Sequence, residues 1–543
     1  PLSLKEVIIT NDTIIRDFAF SECTSLTTIT LPKNVTIIGQ GAFSYCTSLE
    51  NITWPESIES IESNAFYYCA SLRSITLPDN LTSIGNNAFS GCSSLSSITL
   101  PVGITSIGSS VFSECTSLSS ITLPDNLISI GDYAFYGCSS LTSITIPDGV
   151  TSIGTSTFYK CTSLTSVNLP KGLTSIKEAT FSYCTNLTNI TIPNSVTSIE
   201  NYAFSGCSSV IDINIPKSVS YIGFNIFASC SNLTSITVPF FGNSRNSNSH
   251  LGYFFGNNTY EGSYMVHGYY LPLSLKEVII TDVTIIGNNM FTYCTSLTSI
   301  TLPDMLTSIS ELAFNYCTNL ASITIPQSVV SIGSGALNNC NNLETITLPF
   351  TGQSRFATGT SANFAYIFGS EMLPTSLREV FLTDSVNLAD NAFKSHTGLT
   401  NISLPNNLTS IGNSAFSQCT GLTNMTLPNN LTRIGSSAFS GCSSLTSITL
   451  PNNLTSIGSS AFSGCSSLTS MTLPNNLTSI GSSAFSGCTG VTSISLPEGL
   501  MNIEESAFNG LSNLEFIKVP FIGSDRDQNI SSIFGYIFGK ESY

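Results

Sequence analysis

Hydrophobic positions in this chain recur in a fixed order, and that order repeats every 23 residues. One repeat starts at Leu95 and continues with Ile98 and Leu100, which alternate with polar residues. Such alternation is typical of a short strand with one buried face. Pro101 follows and ends the strand, because proline cannot donate a backbone hydrogen bond to a neighbouring strand.

The rest of the repeat predicts a second extended segment and a turn. Ile104 and Ile107 form a short apolar pair on the far side of the proline. Val111, Phe112 and Cys115 are spaced like one helical turn with an apolar face. A single unit cannot bury so many apolar residues by itself, so identical units must stack as the rungs of a solenoid.

Proline positions show how far the repeat extends. Of the 22 prolines, 19 follow a predicted strand at the same place in the repeat. A length of 543 residues would otherwise suggest several domains, but the repeat predicts one continuous solenoid over residues 1–543, with about 22 rungs. The sub-arrays that the spacing defines are 1–239, 272–349 and 374–520.

Three longer segments interrupt or follow these arrays, namely 240–271, 350–373 and 521–543. The motif P-F-x-G-x-x-R spans the start of each segment, with its proline just before the segment, and a Phe-Gly pair follows later in each. After the first two, a strand restarts as S-L-(K/R)-E-V, so we expect each to be an enlarged rung that returns to the same sheet. We expect their phenylalanines to pin the bulge to adjacent rungs and their tyrosines to contact a partner. The candidate tyrosines are Tyr253, Tyr260, Tyr264, Tyr269 and Tyr270.

All 17 cysteines occupy one position of the repeat. Short C-x-x-C spacings typical of metal sites are absent from the sequence. Thiols at one position of stacked rungs point the same way, so we predict free, buried thiols and no disulfides. Replacing Cys115 with serine should cost about 1–3 kcal/mol unless the hydroxyl finds a partner.

Composition narrows the function. Only 9% of residues are charged, the net charge is −16 and the pI is about 4.5, which argues against nucleic acid or an anionic membrane as partner. No apolar run is long enough for a membrane span, and no catalytic motif is present in the sequence. His250 and His267 lack metal-ligand spacing, and His396 replaces a repeat cysteine, so it is expected to be structural. We therefore expect no enzyme activity, metal or cofactor.

A column of threonines at the exposed strand position is the main candidate binding face. Two interpretations remain open: β-branched threonine simply suits an exposed strand, or the column forms an extended hydroxyl-rich binding face. An ice-binding face is less favoured, because serine and asparagine flank the column. The candidate residues are Thr76, Thr99, Thr122, Thr145, Thr426, Thr449 and Thr472.

The repeat reads L-x-x-I-x-(L/I)-P-x-x-(L/V)-x-x-I-G-x-x-A-F-x-x-C-x-x, and it resembles the BspA-like class of leucine-rich repeats. The resemblance covers nearly the whole chain. It implies a right-handed leucine-rich repeat solenoid with one short parallel strand per rung, short helical or irregular turns, and a second short extended segment opposite. It also implies an extracellular or cell-surface protein used for adhesion or recognition.

We therefore expect a non-enzymatic protein that binds a protein or glycan ligand on host or neighbouring cells. The alternative is a structural spacer that displays other modules. A carbohydrate-binding module is less favoured, because Trp54 is the only tryptophan. Neither end resembles a polar cap, so we expect the natural protein to continue beyond both ends, and the terminal rungs to be mobile or to associate end to end.

Overall fold

The computed structural model describes residues 3–247, 249–369, 373–526 and 534–539. A regular repeat forms one rung with a front strand in the L-x-x-I-x-L segment and a two-residue back strand after the proline; at Ser470 an isolated bridge replaces the front strand. The result is a parallel-strand solenoid of about 22 turns, as the repeat predicted. The chain divides into two compact units, Pro1–Asp282 and Val283–Tyr543. That the two form one continuous solenoid stays a prediction, and Pro1 and Tyr543 lie outside the described residues.

The described residues of the first unit contain twelve front strands, ten back strands and one hairpin. Its front strands are β1 (Glu6–Ile8), β3 (Thr28–Thr30), β5 (Asn51–Thr53), β7 (Ser74–Thr76), β9 (Ser97–Thr99), β11 (Ser120–Thr122), β13 (Ser143–Thr145), β15 (Ser166–Asn168), β17 (Asn189–Ile190), β19 (Asp212–Asn214), β21 (Ser235–Val238) and β24 (Glu277–Ile280). Its back strands are β2 (Ile14–Ile15), β4 (Ile37–Ile38), β6 (Ser60–Ile61), β8 (Ser83–Ile84), β10 (Ser106–Ile107), β12 (Ser129–Ile130), β14 (Ser152–Ile153), β16 (Ser175–Ile176), β18 (Ser198–Ile199) and β20 (Tyr221–Ile222). The hairpin is β22 (Ser263–Val266) and β23 (Tyr269–Pro272), after a 3₁₀ turn at Leu251–Phe254.

The second unit repeats this arrangement. Its front strands are β26 (Ser299–Thr301), β28 (Ser322–Thr324), β30 (Thr345–Leu348), β31 (Glu379–Leu382), β33 (Asn401–Ser403), β35 (Asn424–Thr426), β37 (Ser447–Thr449), β40 (Ser493–Ser495) and β42 (Phe516–Lys518). Its back strands are β25 (Ile285–Ile286), β27 (Ser308–Ile309), β29 (Ser331–Ile332), β32 (Asn387–Leu388), β34 (Ser410–Ile411), β36 (Arg433–Ile434), β38 (Ser456–Ile457), β39 (Ser479–Ile480) and β41 (Asn502–Ile503). The 3₁₀ turns are Gly359–Ala362, Phe364–Phe368 and Phe534–Phe538.

The enlarged rungs return to the front sheet in register. In the first unit β24 pairs with β21 in parallel, with Val278 beside Ile236. In the second, β31 pairs with β30, with Val380 beside Ile346. The hydrophobic pattern dictates this register, because a slip of one residue would turn the apolar side chains outward.

The arginine of the P-F-x-G-x-x-R motif anchors each of the first two enlarged rungs. Arg245 pairs with Asp282 and donates to the Lys217 carbonyl of an earlier rung. Arg355 pairs with Asp384 in the equivalent place of the second unit. Each arginine therefore links the beginning of the enlarged rung to the strand that follows it.

A column of phenylalanine rings fills the core between the front sheet and the turns. In the first unit Phe89, Phe112 and Phe135 are fully buried, and their centroids lie 5.8 and 5.7 Å apart with nearly parallel planes. The prediction that each repeat phenylalanine packs between neighbouring rungs is confirmed. The enlarged rung joins the same core, because Phe254 lies with its ring 6.2 Å from that of Phe227.

The turn before each cysteine is not helical, contrary to what the spacing of Val111, Phe112 and Cys115 suggests. Ser110 and Glu114 adopt left-handed backbone conformations, with φ of 56° and 58°. The N–H groups of Ser110, Phe112 and Glu114 donate to carbonyls of the following rung at 2.8, 2.9 and 2.6 Å. Because these groups bond between rungs, they cannot form the i→i−4 bonds of a helix.

The cysteines form a buried ladder of free thiols, of which only Cys23 is partly exposed. They do more than fill space, because each of fifteen thiols donates a hydrogen bond to the carbonyl 26 residues earlier. Cys115 Sγ, for example, lies 3.2 Å from the carbonyl of Phe89. Burial raises the pKa of the Cys46 thiol to about 12 and raises the pKa of the other buried thiols such as Cys115 as well, so the buried thiols are protonated and unreactive.

Candidate functional site

Six of the seven candidate threonines lie where the sequence predicted, on the outer surface of the front strands, and Thr472 follows an isolated bridge at Ser470 in the equivalent place of its rung. All seven candidate side chains are exposed. Thr99 lies between Thr76 and Thr122 in the sheet register of the first unit, and Thr426 pairs with Thr449 in the second. None of the seven hydroxyls takes part in a hydrogen bond with a described residue, so all are available to a ligand.

Neighbouring hydroxyl columns behave differently. Many serines and threonines just before a front strand donate their hydroxyl to the carbonyl of the counterpart in the preceding rung, as Ser119 does to Ser96 at 3.1 Å and Thr446 does to Thr423 at 2.9 Å. Similar ladders run beside the back strands, where Thr455 donates to the Thr432 carbonyl at 3.0 Å. Most of these hydroxyls thus satisfy backbone carbonyls between rungs. The exposed threonine column has no such role, and it shares this with the first serine of strands such as β9 and β11.

In the second unit the front face contains a groove of about 600 Å³. Phe381 of β31, half-buried, takes the place of a column threonine, with Thr347 and Ser403 as its neighbours in the register. The groove continues over Asn401 and ends beside Thr426. It therefore offers one aromatic ring among amides and hydroxyls, a composition suited to contact with a polar partner.

The five insertion tyrosines are half-buried. Tyr264, Tyr269 and Tyr270 belong to the hairpin β22–β23, and the Tyr260 hydroxyl donates to the Tyr270 carbonyl at 3.3 Å. Burial raises the pKa of Tyr260. These rings thus stabilise the hairpin while presenting part of their surface, and their proposed contact with a partner stays a prediction.

The insertion phenylalanines Phe240, Phe241, Phe254 and Phe255 are fully buried, which confirms their predicted role in pinning the bulge. The fold also brings His250 and His267 together, with ring centroids 5.4 Å apart, although the sequence separates them by 17 residues. Among the described residues, no group of three or more His, Cys, Asp or Glu side chains is arranged to hold a metal ion.

Sequence reasoning missed two aromatic features. The restart motif stops at Val380, and aligning the restarted strand with the repeats would have placed Phe381 in the threonine register. Tyrosines on the turns were also overlooked: Tyr136 and Tyr159 stack at 5.0 Å, and Tyr293 and Tyr316 at 4.5 Å. Their spacing of 23 residues was the available signal.

The stacked rungs, each with one front strand and a buried leucine and isoleucine pattern, define a leucine-rich repeat protein. The family described as "BspA type Leucine rich repeat region (6 copies)" matches residues 13–142, 128–251, 267–366 and 386–515. The chain therefore belongs to the BspA-type leucine-rich repeat family. Within the described residues, no helix has the length and apolar character needed to span a bilayer.

Solved structures of similar proteins come from several bacteria. A leucine-rich repeat protein from Bacteroides ovatus ATCC 8483 is 24% identical, over 91% of this chain and 92% of its own, with a TM-score of 0.29. A leucine rich cell surface protein from Faecalibacterium prausnitzii A2-165 is 27% identical, over 77% of this chain and 87% of its own, with a TM-score of 0.25. No curated protein matches the sequence.

Proposed function

We propose that this chain is a non-enzymatic recognition protein, displayed at a cell surface or secreted, whose front face binds a protein on host or neighbouring cells. The main support is the threonine column. Its seven exposed hydroxyls have no partner among the described residues, whereas the hydroxyls just before the front strands mostly bond to the backbone of the preceding rung. A row of free hydroxyls on a sheet can bond to a partner without first breaking an internal hydrogen bond.

The groove at Phe381 supports the same proposal. Aromatic residues, phenylalanine among them, are enriched in the cores of protein interfaces, where the surrounding contacts exclude water. Phe381 supplies a partly exposed ring, and Asn401 and Thr426 supply hydrogen-bonding groups around it. The sparse charges of the chain make a strongly charged ligand a poor match for this face.

Adhesion of protein-coated beads to cultured epithelial monolayers tests the proposal. Thr426→Val and Phe381→Ala should each reduce bead attachment, because they remove a free hydroxyl and the aromatic ring. Thr446→Val is the matched control: its hydroxyl already bonds internally to Thr423, so the change should lower stability by about 0.5–1.5 kcal/mol and leave attachment unchanged. Circular dichroism verifies that each variant is folded.

Two results would contradict the proposal. Attachment that is equally strong for the wild type, Thr426→Val and Phe381→Ala would mean that the front face makes no contact, as expected of a spacer. Attachment that survives trypsin treatment of the monolayer would argue against a protein ligand. For localisation, antibody raised against the chain should label intact cells of the source organism, and labelling only after permeabilisation would refute a surface position.

A further inference from the structure

A second concave site lies on the turn side of the first unit, away from the front strands. It is a cleft of about 420 Å³ formed by successive rungs and by the first residues after Phe255. We call it the tyrosine cleft and define it by Tyr159, Tyr183, Tyr202, Asn225, Asn257 and Asn258. Its volume falls within the range of roughly 300–1,000 Å³ that small-molecule sites occupy.

The enlarged rung creates this cleft. The turn of the preceding rung still bonds forward, because the N–H groups of Asn225 and Phe227 donate to the carbonyls of Tyr253 and Phe254 at 2.9 and 2.8 Å. The chain then departs from the repeat path at Gly256, whose φ is 82°. The exposed residues that follow form a wall beside the regular rungs. An array made only of 23-residue repeats would have no such wall.

Tyrosine rings form the floor of the cleft. Tyr183 is 45% exposed, and its ring lies 5.6 Å from that of Tyr159 at an angle of 67°. The ring of Tyr183 rests against Gly206 of the next rung, where an added Cβ would lie only 2.8 Å from it. The absence of a side chain at Gly206 therefore leaves one ring accessible from the cleft.

The wall carries side-chain amides. Asn257 and Asn258 are exposed and Asn225 is half-buried. No hydrogen bond to any described residue involves these three amides, each of which offers two donors and one acceptor oxygen. None of the described residues that line the cleft is charged.

We propose that the tyrosine cleft binds a neutral saccharide. A sugar ring has an apolar C–H face, which can stack on Tyr183, and a rim of hydroxyls, which can bond to the amides of Asn225, Asn257 and Asn258. No described lining residue carries a charge to pair with an ionic ligand, and the neighbouring Lys160 ammonium lies 5.5 Å over the Tyr159 ring. A purely apolar ligand would leave the amides without partners. The proposal is independent of protein binding at the front face.

The test uses an array of neutral and acidic oligosaccharides, followed by calorimetric titration with the best neutral sugar. Tyr183→Ala should weaken binding by about tenfold or more, because it removes the stacking surface. The control is Tyr68→Ala: this tyrosine occupies the same position five repeats earlier, is 41% exposed and rests on Gly91 in the same way, but does not line the cleft. The Tyr68→Ala variant should bind the sugar as tightly as the wild type does.

The double variant Asn257→Ala/Asn258→Ala provides a second test that does not depend on packing, because both side chains are exposed. It should retain the circular dichroism spectrum and lose most of the affinity. The proposal fails if no neutral oligosaccharide binds, if only acidic ones bind, or if the double variant binds as tightly as the wild type. Equal loss in Tyr68→Ala and Tyr183→Ala would also overturn it.

Discussion

Replacing Phe462 with alanine removes one ring from the middle of the phenylalanine column of the second unit. Phe462 is fully buried, and its ring stacks on Phe439 at 5.2 Å and on Phe485 at 5.4 Å, with interplanar angles of 3°. Its backbone N–H bonds to the carbonyl of Ala484 in the next rung, and its carbonyl accepts from the Cys488 thiol at 3.1 Å. Alanine keeps both backbone bonds, so the substitution isolates the side chain.

The loss should lie in the upper part of the range for buried aromatic truncation, which is about 3–5 kcal/mol. Two stacked ring contacts disappear, each worth about 0.5–1.5 kcal/mol beyond the buried area. The neighbours at Phe439 and Phe485 are held by their own hydrogen bonds to adjacent rungs, so they cannot collapse into the cavity. Because rungs contact only their neighbours, the loss should be local.

Native-state hydrogen exchange followed by mass spectrometry measures this local loss directly. Amides of residues 439–488 should exchange up to about a thousandfold faster, the factor that corresponds to roughly 4 kcal/mol. Exchange in the first unit should stay unchanged. Phe462→Leu is the matched control, because Leu337 occupies the same column natively and is buried. It should cost less than alanine, about 1–3 kcal/mol, because leucine loses the two ring contacts but keeps most of the buried apolar volume.

Two outcomes would refute the reasoning. Unchanged exchange around Phe462 would mean that the ring column contributes little to rung stability. Faster exchange spread evenly over the whole chain would mean that the solenoid unfolds as one cooperative unit and that stability is not distributed rung by rung.

Three further predictions concern single positions. Burial and the Arg378 guanidinium lower the pKa of His396 from 6.5 to about 4, so the neutral imidazole stabilises the fold above pH 6.5 and about 3 kcal/mol of stability is lost as the pH falls towards 4. His396→Cys should flatten that part of a plot of urea midpoint against pH, and an unchanged plot would contradict the assignment. Cys115→Ser should lower the free energy of unfolding by no more than about 1 kcal/mol in urea denaturation, because the hydroxyl can donate to the Phe89 carbonyl. Cys115→Ala should lower it by more, and a larger loss for serine than for alanine would contradict this geometry. Gly206→Ala should destabilise by about 1–3 kcal/mol, because φ is 76° and the added Cβ meets the tyrosine ring beneath, and a neutral thermal shift would argue against that contact.

Much of the fold could be predicted because the phase of the repeat encodes burial. Phe112 and its equivalents fall at one phase of every unit, and any stacking of identical units buries them together. The same logic placed the restarted strand at Val278, since only one register keeps its apolar side chain inside. The helical interpretation of the turn failed, because spacing alone does not distinguish a helix from residues such as Ser110 and Glu114 that adopt left-handed conformations.

The candidate site was only half predictable. The exposed threonines follow from strand alternation, but Thr446 and Thr449 look equivalent in the sequence, and only the structure shows that the first bonds internally and the second does not. The difference depends on whether a hydroxyl lies within bonding distance of a carbonyl in the next rung, and composition carries no information about that distance.

The sequence by itself determined the repeat, the rung number, the buried columns and the family, because each follows from which residue types recur at which phase. The tertiary structure alone decided which hydroxyls are free, how the thiols bond and where a cleft forms. The tyrosine cleft unites Tyr159 with Asn258 across almost 100 residues, in a place where one turn departs from the repeat. Such a site depends on the path of the chain in three dimensions, and a one-dimensional pattern records only that the path changes.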